Sequence, residues 1–161
     1  MSQDSSARPT DHAGLVPIQA ARAASQLGRT VNVALAASEL TPAGYRMLAY
    51  LATGETAAKI LAAKLAISRP TVTATLDWLE PRGYVRRIPA RSDRRKVEIT
   101  ITAEGLRALE AADRLVADRL SDVLSVVDPD QLSVIIDSLE TLWEALNSFR
   151  ARGIDPTDGA S

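Results

Sequence analysis

The sequence has 161 residues, a formal net charge of −1, one histidine and no cysteine. This length suits one domain, or one domain with an appended dimerisation element, and 46% hydrophobic with 24% charged residues is typical of a folded chain. The lack of cysteine excludes disulfides, cysteine–zinc sites and thiol redox switches, and His12 lies in a polar stretch where no metal site or general base is expected. We therefore expect no metal, no cofactor and no catalysis.

The N-terminal part is expected to contain a polar tail followed by one helix. Residues 1–14 are polar and lack the pattern of a secretory signal, so we expect a disordered tail there. Since no apolar run is long enough to span a bilayer, we expect a cytoplasmic protein with no membrane partner. Apolar residues recur at helical spacing from about Val16 to Ala37, which predicts a first helix within residues 15–38.

A second and a third helix follow. Thr41 suits an N-cap and Pro42 a first helical residue, where the missing N–H of proline costs nothing, so the second helix is predicted to begin there and to end at Gly54. A short third helix is predicted from about Ala57 to Leu65. The residues of this third helix that are expected to face inward are Ile60, Leu61 and Leu65.

The fourth helix has the features of a recognition helix. Ser68 is a strong N-cap, and the spacing of Val72, Leu76 and Leu79 predicts that these side chains turn inward. A short helix, a sharp turn and a capped helix are typical of a helix-turn-helix. Arginine can reach guanine or phosphate, and threonine and alanine can touch a thymine methyl group. The residues predicted to contact DNA from this helix are Ser68, Arg69, Pro70, Thr71, Thr73, Ala74 and Asp77.

A basic β-hairpin is predicted directly after the recognition helix. Period-two alternation predicts strands over Tyr84–Ile88 and Lys96–Ile101, which would form a wing. Between Arg82 and Lys96 seven basic residues and one acid give a charge of +6, so the rest of the chain sums to −7. A local basic stripe is typical of phosphate binding, although a solvated charge run is the alternative. The residues predicted to contact DNA from the wing are Arg86, Arg87, Arg91, Asp93, Arg94, Arg95 and Lys96.

The remainder of the chain is predicted to be helical. Thr102 suits the cap of a long helix that runs to Leu124, and a last helix follows Pro129. The apolar stripe of the last helix is too long to stay exposed, so residues 103–152 and the first helix predict a symmetric dimer interface, with a flexible tail over residues 153–161. A helical bundle within a monomer is the alternative. The stripe residues predicted to make the dimer are Leu132, Ile135, Leu139, Leu142, Trp143 and Leu146.

Together these elements predict a mainly α fold with a small two- to three-stranded antiparallel wing. A winged helix-turn-helix over residues 39–102 is flanked by N- and C-terminal dimerisation helices, and the predicted function is sequence-specific binding of duplex DNA. An enzyme is disfavoured because the sequence has no Gly-rich phosphate loop and no serine or threonine with a histidine partner. A winged helix that binds only proteins is the second alternative, and the basic wing counts against it.

Between Leu40 and Leu109 the sequence resembles the MarR family of bacterial regulators. Four stretches carry this resemblance in the family's order. They are Leu40-Thr41 with Tyr45 and Leu48, the segment Ser68–Thr73, the segment Leu79–Arg87, and Asp93-Arg94-Arg95 followed by Ile101–Gly105. The resemblance implies a triangular homodimer that regulates nearby genes, usually as a repressor. Because two copies of a symmetric dimer meet two half-sites, we expect a near-palindromic operator.

The resemblance also implies details of the sites. Asp93 would position Arg95 by pairing with it, although Asp93 alternatively caps the turn. Relief by a small aromatic or anionic ligand is common in the family, in a pocket where the dimer helices meet the winged helix. The residues expected to line that pocket are Arg22, Arg29, Tyr45, Arg46 and Tyr50.

The sequence departs from the family at the recognition helix. Many members carry a basic residue where this chain has Ala74 and Trp78, and Asp77 adds an acid. We therefore expect specificity to depend strongly on DNA shape. Three positions remain open for Trp78: packing under the wing, lining a ligand cavity, or contacting DNA.

Overall fold

A computed structural model of the chain describes residues 16–54, 57–89 and 97–151, and in this part of the chain it contains six helices and one two-stranded sheet. The mainly α fold with a small antiparallel wing is thereby confirmed. The elements in chain order are α1 (Val16–Leu35), α2 (Pro42–Ala52), α3 (Ala58–Leu65), α4 (Arg69–Leu79), β1 (Val85–Pro89), β2 (Val97–Ile101), α5 (Ala103–Leu124) and α6 (Pro129–Ala151).

Three helices begin at the side-chain caps that the sequence predicts. The hydroxyl of Thr41 accepts a hydrogen bond from the amide of Gly44 at 3.0 Å, and the hydroxyl of Thr102 accepts one from Gly105 at 3.0 Å. Ser68 caps α4 in the same way. Because each cap satisfies an amide that the helix leaves without a partner, each contributes about 1 kcal/mol and fixes where its helix begins.

The sheet is an antiparallel hairpin. Val85 lies opposite Ile101, Arg87 opposite Ile99 and Pro89 opposite Val97. The first strand is displaced by one residue from the prediction, so that Pro89 belongs to it and Tyr84 does not. A single bridge between Ala57 and Glu98 stands where a third strand would lie.

The buried core joins the winged helix to the flanking helices. In the centre, side chains from α2, α3, α4 and both strands pack together, and α1 and α5 close one side by packing against each other. The predicted inward positions of α4 are confirmed. The least exposed large side chains are Leu35, Met47, Leu48, Leu61, Val72, Leu79, Val85 and Ile99.

Two details of the helices differ from the prediction. Helix α1 ends at Leu35 instead of Ala37, and the following turn is held by the Ser38 hydroxyl, which donates to the carbonyl of Leu35 at 2.8 Å. The expectation that Ile60 faces inward is wrong, because Ile60 is 44% exposed. Helix α3 is only eight residues long and buries the face that contains Leu61 and Ala62. Ile60 lies on another side of this helix, outside the core.

Helix α6 is the least covered element. Within the described residues it contacts α3, while the middle of its apolar stripe faces a groove beside α1 and α2. Trp143 is 58% exposed, and Leu139, Leu142 and Leu146 are each 43–44% exposed. Leu132 and Ile135 are half-buried. No helix in the described part of the chain is long and apolar enough to cross a membrane.

Candidate nucleic-acid interface

The outer face of α4 is a polar surface on a firmly packed helix. Val72, Leu76 and Leu79 are at most 3% exposed, and Thr75 is also buried, where its hydroxyl donates to the carbonyl of Thr71 at 2.8 Å. This inner face fixes the rotation of the helix about its axis. All the residues predicted to contact DNA from this helix lie on the exposed side: Ser68, Arg69, Pro70, Thr71, Thr73, Ala74 and Asp77.

Two hydroxyl groups meet at the N-terminus of α4. The Ser68 Oγ and Thr71 Oγ1 atoms are 2.8 Å apart, and Ser68 Oγ also accepts from the amide of Thr71 at 3.3 Å. Both side chains are exposed. Because the N-terminal end of a helix carries a partial positive charge, this pair of hydroxyls can donate to an anion placed there. The capping role of Ser68 is confirmed, and its contact with phosphate remains a prediction.

Arg87 on β1 is tied to α4. Its Nη2 atom lies 2.6 Å from Asp77 Oδ1, and its Nη1 atom lies 2.9 Å from Glu80 Oε2. The other oxygen of Glu80 accepts from the backbone amide of Arg87 at 3.2 Å. The guanidinium is therefore paired with two carboxylates, and its charge is compensated inside the protein.

Trp78 packs between α2 and an arginine. The Arg82 guanidinium lies 3.9 Å from the centre of the indole, and Arg82 Nη1 donates to the carbonyl of Trp78 at 2.8 Å. On the other side, a Cβ added at Gly44 of α2 would lie 3.3 Å from Trp78 Cζ3. Among the three positions left open for Trp78, the structure shows packing, although against α2 and Arg82 instead of under the wing.

These contacts change the count of basic charges on the wing. Arg82 is stacked on Trp78, and Arg87 is paired with Asp77 and Glu80. Arg86 is exposed and makes no ion pair with any residue that the structure describes. The other residues predicted to contact DNA from the wing lie outside the described residues: Arg91, Asp93, Arg94, Arg95 and Lys96.

A groove of about 530 Å³ lies between α4, the start of α3 and the hairpin. Its floor is apolar, with Val72, Leu76 and Ile99, and its rim carries Lys59 and Arg69. Sequence reasoning missed Lys59, because a lone lysine near the start of a short helix gives no signal until the fold brings it beside the recognition helix.

A second groove, of about 390 Å³, lies between α1, α2 and α6. Of the predicted pocket residues, Tyr45 and Arg46 line it, whereas Arg22 and Arg29 on α1 and Tyr50 on α2 do not. The walls are mainly apolar. Those from α6 are Leu139, Leu142, Trp143 and Leu146.

Tyr45 is a polar residue of this second groove, and its hydroxyl has a hydrogen-bond partner on α5. Its hydroxyl donates to Asp113 Oδ1 on α5 at 2.7 Å. Burial, followed by the hydrogen bond to the Asp113 carboxylate, raises the pKa of Tyr45 to about 12. The groove therefore presents a neutral phenol that is already engaged with α5.

Comparison with known proteins places this geometry among transcriptional regulators. A family model described as MarR family matches residues 38–96. The HTH-type transcriptional regulator PecS of Dickeya dadantii is 35% identical over 65 residues, which are 40% of this chain and 37% of PecS. The transcriptional repressor CouR bound to a 23-mer DNA duplex is 30% identical, with 77% of this chain and 89% of that chain covered and a TM-score of 0.66. The chain belongs to the MarR family.

Further structures agree on the fold of this MarR-family chain. Apo MarR from Escherichia coli is 21% identical with a TM-score of 0.70, over 78% of this chain and 95% of that one. A CouR from Rhodococcus jostii in complex with p-coumaroyl-CoA is 22% identical with a TM-score of 0.64, over 83% of this chain and 95% of that one. The named relatives are regulators and not enzymes. The chain spans about half or less of the length of the curated relatives it matches.

Proposed function

We propose that this MarR-family chain is a transcriptional repressor in the cytoplasm that binds a near-palindromic operator as a homodimer and releases it when a small ligand binds. The observation that carries the proposal is the polar outer face of α4, which is exposed along its whole length next to a hairpin. A rigid helix with hydroxyls at its N-terminus and an arginine in its first turn suits entry into the major groove.

Recognition and affinity are proposed to come from different residues. The α4 side chains Arg69, Thr71, Thr73 and Ala74 would contact bases, and Ser68 would contact a phosphate at the helix N-terminus. Affinity would come from the wing, where Arg86 and the basic residues 91–96 neutralise phosphates and release counterions. We further propose that Asp93 positions Arg95 for a narrow minor groove, where guanidinium groups are favoured.

A homodimer is proposed because α6 leaves an apolar stripe without cover in a single chain. Leu142 is 44% exposed and Trp143 is 58% exposed. Phe149, which continues the stripe, is 41% exposed. A contiguous exposed stripe of this kind marks an interaction surface, and a second copy can cover it with the same surface in a symmetric interface. In this proposal residues 15–38 and 103–152 supply the interface, which is centred on the stripe of α6, and residues 39–102 form the DNA-binding unit.

The groove between α1, α2 and α6 is proposed as the effector site. Its apolar walls suit an aromatic ring, and Arg46 at its edge suits an anionic group. A ligand there would contact α2, which belongs to the helix-turn-helix, and α6, which belongs to the proposed interface. Among the structural neighbours, one protein named CouR is bound to p-coumaroyl-CoA and another chain of that name is bound to DNA, which is a precedent for both kinds of partner among similar proteins.

A mobility-shift experiment tests the proposal. The purified protein is titrated onto the DNA upstream of its own gene at about 50 and about 200 mM salt, with random duplex as competitor. We expect a discrete complex that resists the competitor and weakens steeply with salt. Binding no tighter than to random DNA would contradict a sequence-specific site in that region, and failure to bind any duplex would favour a protein-interaction module.

A further inference from the structure

Arg87 occupies the centre of β1, in register with the buried residue Ile99 of β2. From this position its side chain does not extend away from the protein, as a phosphate-binding arginine on a wing would. It turns to α4, where it contacts Asp77 at 2.6 Å and Glu80 at 2.9 Å. Its Nη2 atom also lies 3.5 Å from the carbonyl oxygen of Thr73.

The three α4 partners of Arg87 lie on one face of the helix. Thr73, Asp77 and Glu80 are spaced by four and three residues, which places them in line over two helical turns. Glu80 is also the C-cap residue of α4. A planar guanidinium with several donors can bridge such a row, whereas the point charge of lysine cannot hold the same set of acceptors.

Arg87 differs from its neighbour Arg86 in how far its positive charge is compensated. One guanidinium with two carboxylates leaves this cluster with a net charge of −1, so Arg87 adds no uncompensated positive charge for phosphate. Arg86 lies on the opposite face of the same strand, is exposed, and has no ion pair within the described residues. Adjacent arginines of one strand are therefore suited to different tasks.

We propose that Arg87 is a positioning residue for DNA recognition, which fixes the angle between the recognition helix and the wing through Asp77 and Glu80. In this arrangement the acid Asp77 supports DNA binding although it lies on the DNA-facing helix. This inference rests on the proposed DNA-binding function. It assigns phosphate contact in β1 to Arg86 alone.

The first test separates charge from bridging. Operator affinity is measured over a range of salt for wild type, Arg86→Gln, Arg87→Gln and Arg87→Lys. We expect Arg86→Gln to reduce the slope of log K against log salt by about one for each protomer. We expect Arg87→Gln and Arg87→Lys each to weaken binding about tenfold with the wild-type slope. Full affinity of Arg87→Lys, or a slope of Arg87→Gln reduced as far as that of Arg86→Gln, would overturn the proposal.

The second test asks whether the loss of one negative charge near DNA strengthens or weakens binding. Asp77→Asn keeps the shape of the side chain and removes a negative charge near DNA, which on electrostatics alone would strengthen binding. We expect it to weaken binding about threefold, because the shortest contact of Arg87 loses its negative charge. Asp118→Asn, an exposed position on α5, removes the same charge elsewhere and is the matched control. Unchanged or tighter binding by Asp77→Asn would overturn the proposal.

Wild type is measured in every series, so the two proposals fail differently. If wild type binds no duplex, the proposed function fails. If wild type binds and the Arg87 or Asp77 series gives the contrary result, only the positioning role fails. Should Arg87→Gln not fold, as judged by thermal unfolding, Asp77→Asn and Glu80→Gln each leave the arginine in place and decide the question.

Discussion

The hydroxyl of Tyr45 donates a hydrogen bond of 2.7 Å to the carboxylate of Asp113. The two residues are 68 positions apart and join α2 of the helix-turn-helix to α5. A second bond of the same kind, from the hydroxyl of Tyr84 to Glu39 Oε2 at 2.7 Å, joins the residue before β1 to the segment after α1. The first pair connects α2 to the flanking helix α5, and the second holds the start of the hairpin to the segment between α1 and α2.

The bond between Tyr45 and Asp113 makes stability depend on alkaline pH. Burial and the bond raise the pKa of Tyr45 to about 12 in the folded protein, against about 10 in the unfolded chain. Because folding favours the neutral phenol, its contribution is complete below about pH 10 and is lost as the pH rises through about 12. We expect Tyr45→Phe to lower the free energy of unfolding by about 1 kcal/mol at pH 7, and to make the decline between pH 10 and 12 shallower.

Chemical denaturation from pH 7 to 12 measures both effects. The control is Tyr50→Phe on the same helix, since the Tyr50 hydroxyl makes no hydrogen bond within the described residues. An alkaline decline that is equally steep in wild type and Tyr45→Phe would show that this hydrogen bond does not couple folding to pH.

The first turn of α5 tolerates no side chain at Gly105. A Cβ added there would overlap the carbonyl oxygen of Tyr84, and that oxygen is held in place by the amide of Thr102 at 3.0 Å. The obstacle is backbone, so it cannot rotate away. We expect Gly105→Ala to lower the free energy of unfolding by about 3 kcal/mol.

Thermal unfolding compares this variant with Gly28→Ala. Gly28 lies inside α1, and an added Cβ there meets nothing within 4 Å. We expect this control to be neutral or to stabilise by about 0.5 kcal/mol, because alanine favours a helix more than glycine does. Equal unfolding temperatures for the two variants would contradict the packing described for α5.

The parts of this fold that the sequence predicted are those with local causes. Thr41, Ser68 and Thr102 each cap a helix through an amide three residues away, so a short stretch of sequence contains the whole interaction. The inward face of α4 followed in the same way from regular spacing. Ile60 was assigned wrongly because an eight-residue helix with apolar residues on several sides does not define one inner face.

The ion pairs of Arg87 depend on tertiary contacts, which the sequence does not show. The partners of Arg87 lie on another element, ten and seven residues earlier in the chain, and a count of charges assigns Arg87 and Arg86 the same role. The stacking of Arg82 on Trp78 is local, since the two residues are four positions apart, but a count of charges does not register it. Sequence alone therefore predicted which side of α4 is exposed, but it overestimated the free positive charge of the described part of the wing.

The exposed stripe of α6 predicts a dimer that one charge will disrupt. Leu139 lies in the middle of the stripe and is 44% exposed in the single chain. We expect Leu139→Asp to give a monomer in sedimentation experiments, because a symmetric interface would bury two unpaired carboxylates. Val126 is 87% exposed in the turn before α6, away from the stripe, so Val126→Asp should sediment as wild type. A stable dimer of Leu139→Asp would place the interface elsewhere.

The cap of α4 allows stability and DNA affinity to be varied separately. Aspartate caps a helix as well as serine does, and a negative charge at a helix N-terminus stabilises it by about 0.5 kcal/mol. Ser68→Asp should therefore unfold at the wild-type temperature or slightly above it.

If the Ser68 hydroxyl lies against a DNA phosphate, the same change places a carboxylate there, and we expect affinity for the operator to fall at least about tenfold at low salt. Thr41→Asp makes the matching change at the cap of α2, next to Pro42 in the groove between α1, α2 and α6, and should leave DNA affinity close to that of wild type. Wild-type affinity of Ser68→Asp would mean that the N-terminus of α4 does not approach the DNA backbone. An equal loss of affinity in Ser68→Asp and Thr41→Asp would mean that total charge, and not the position of Ser68, controls binding.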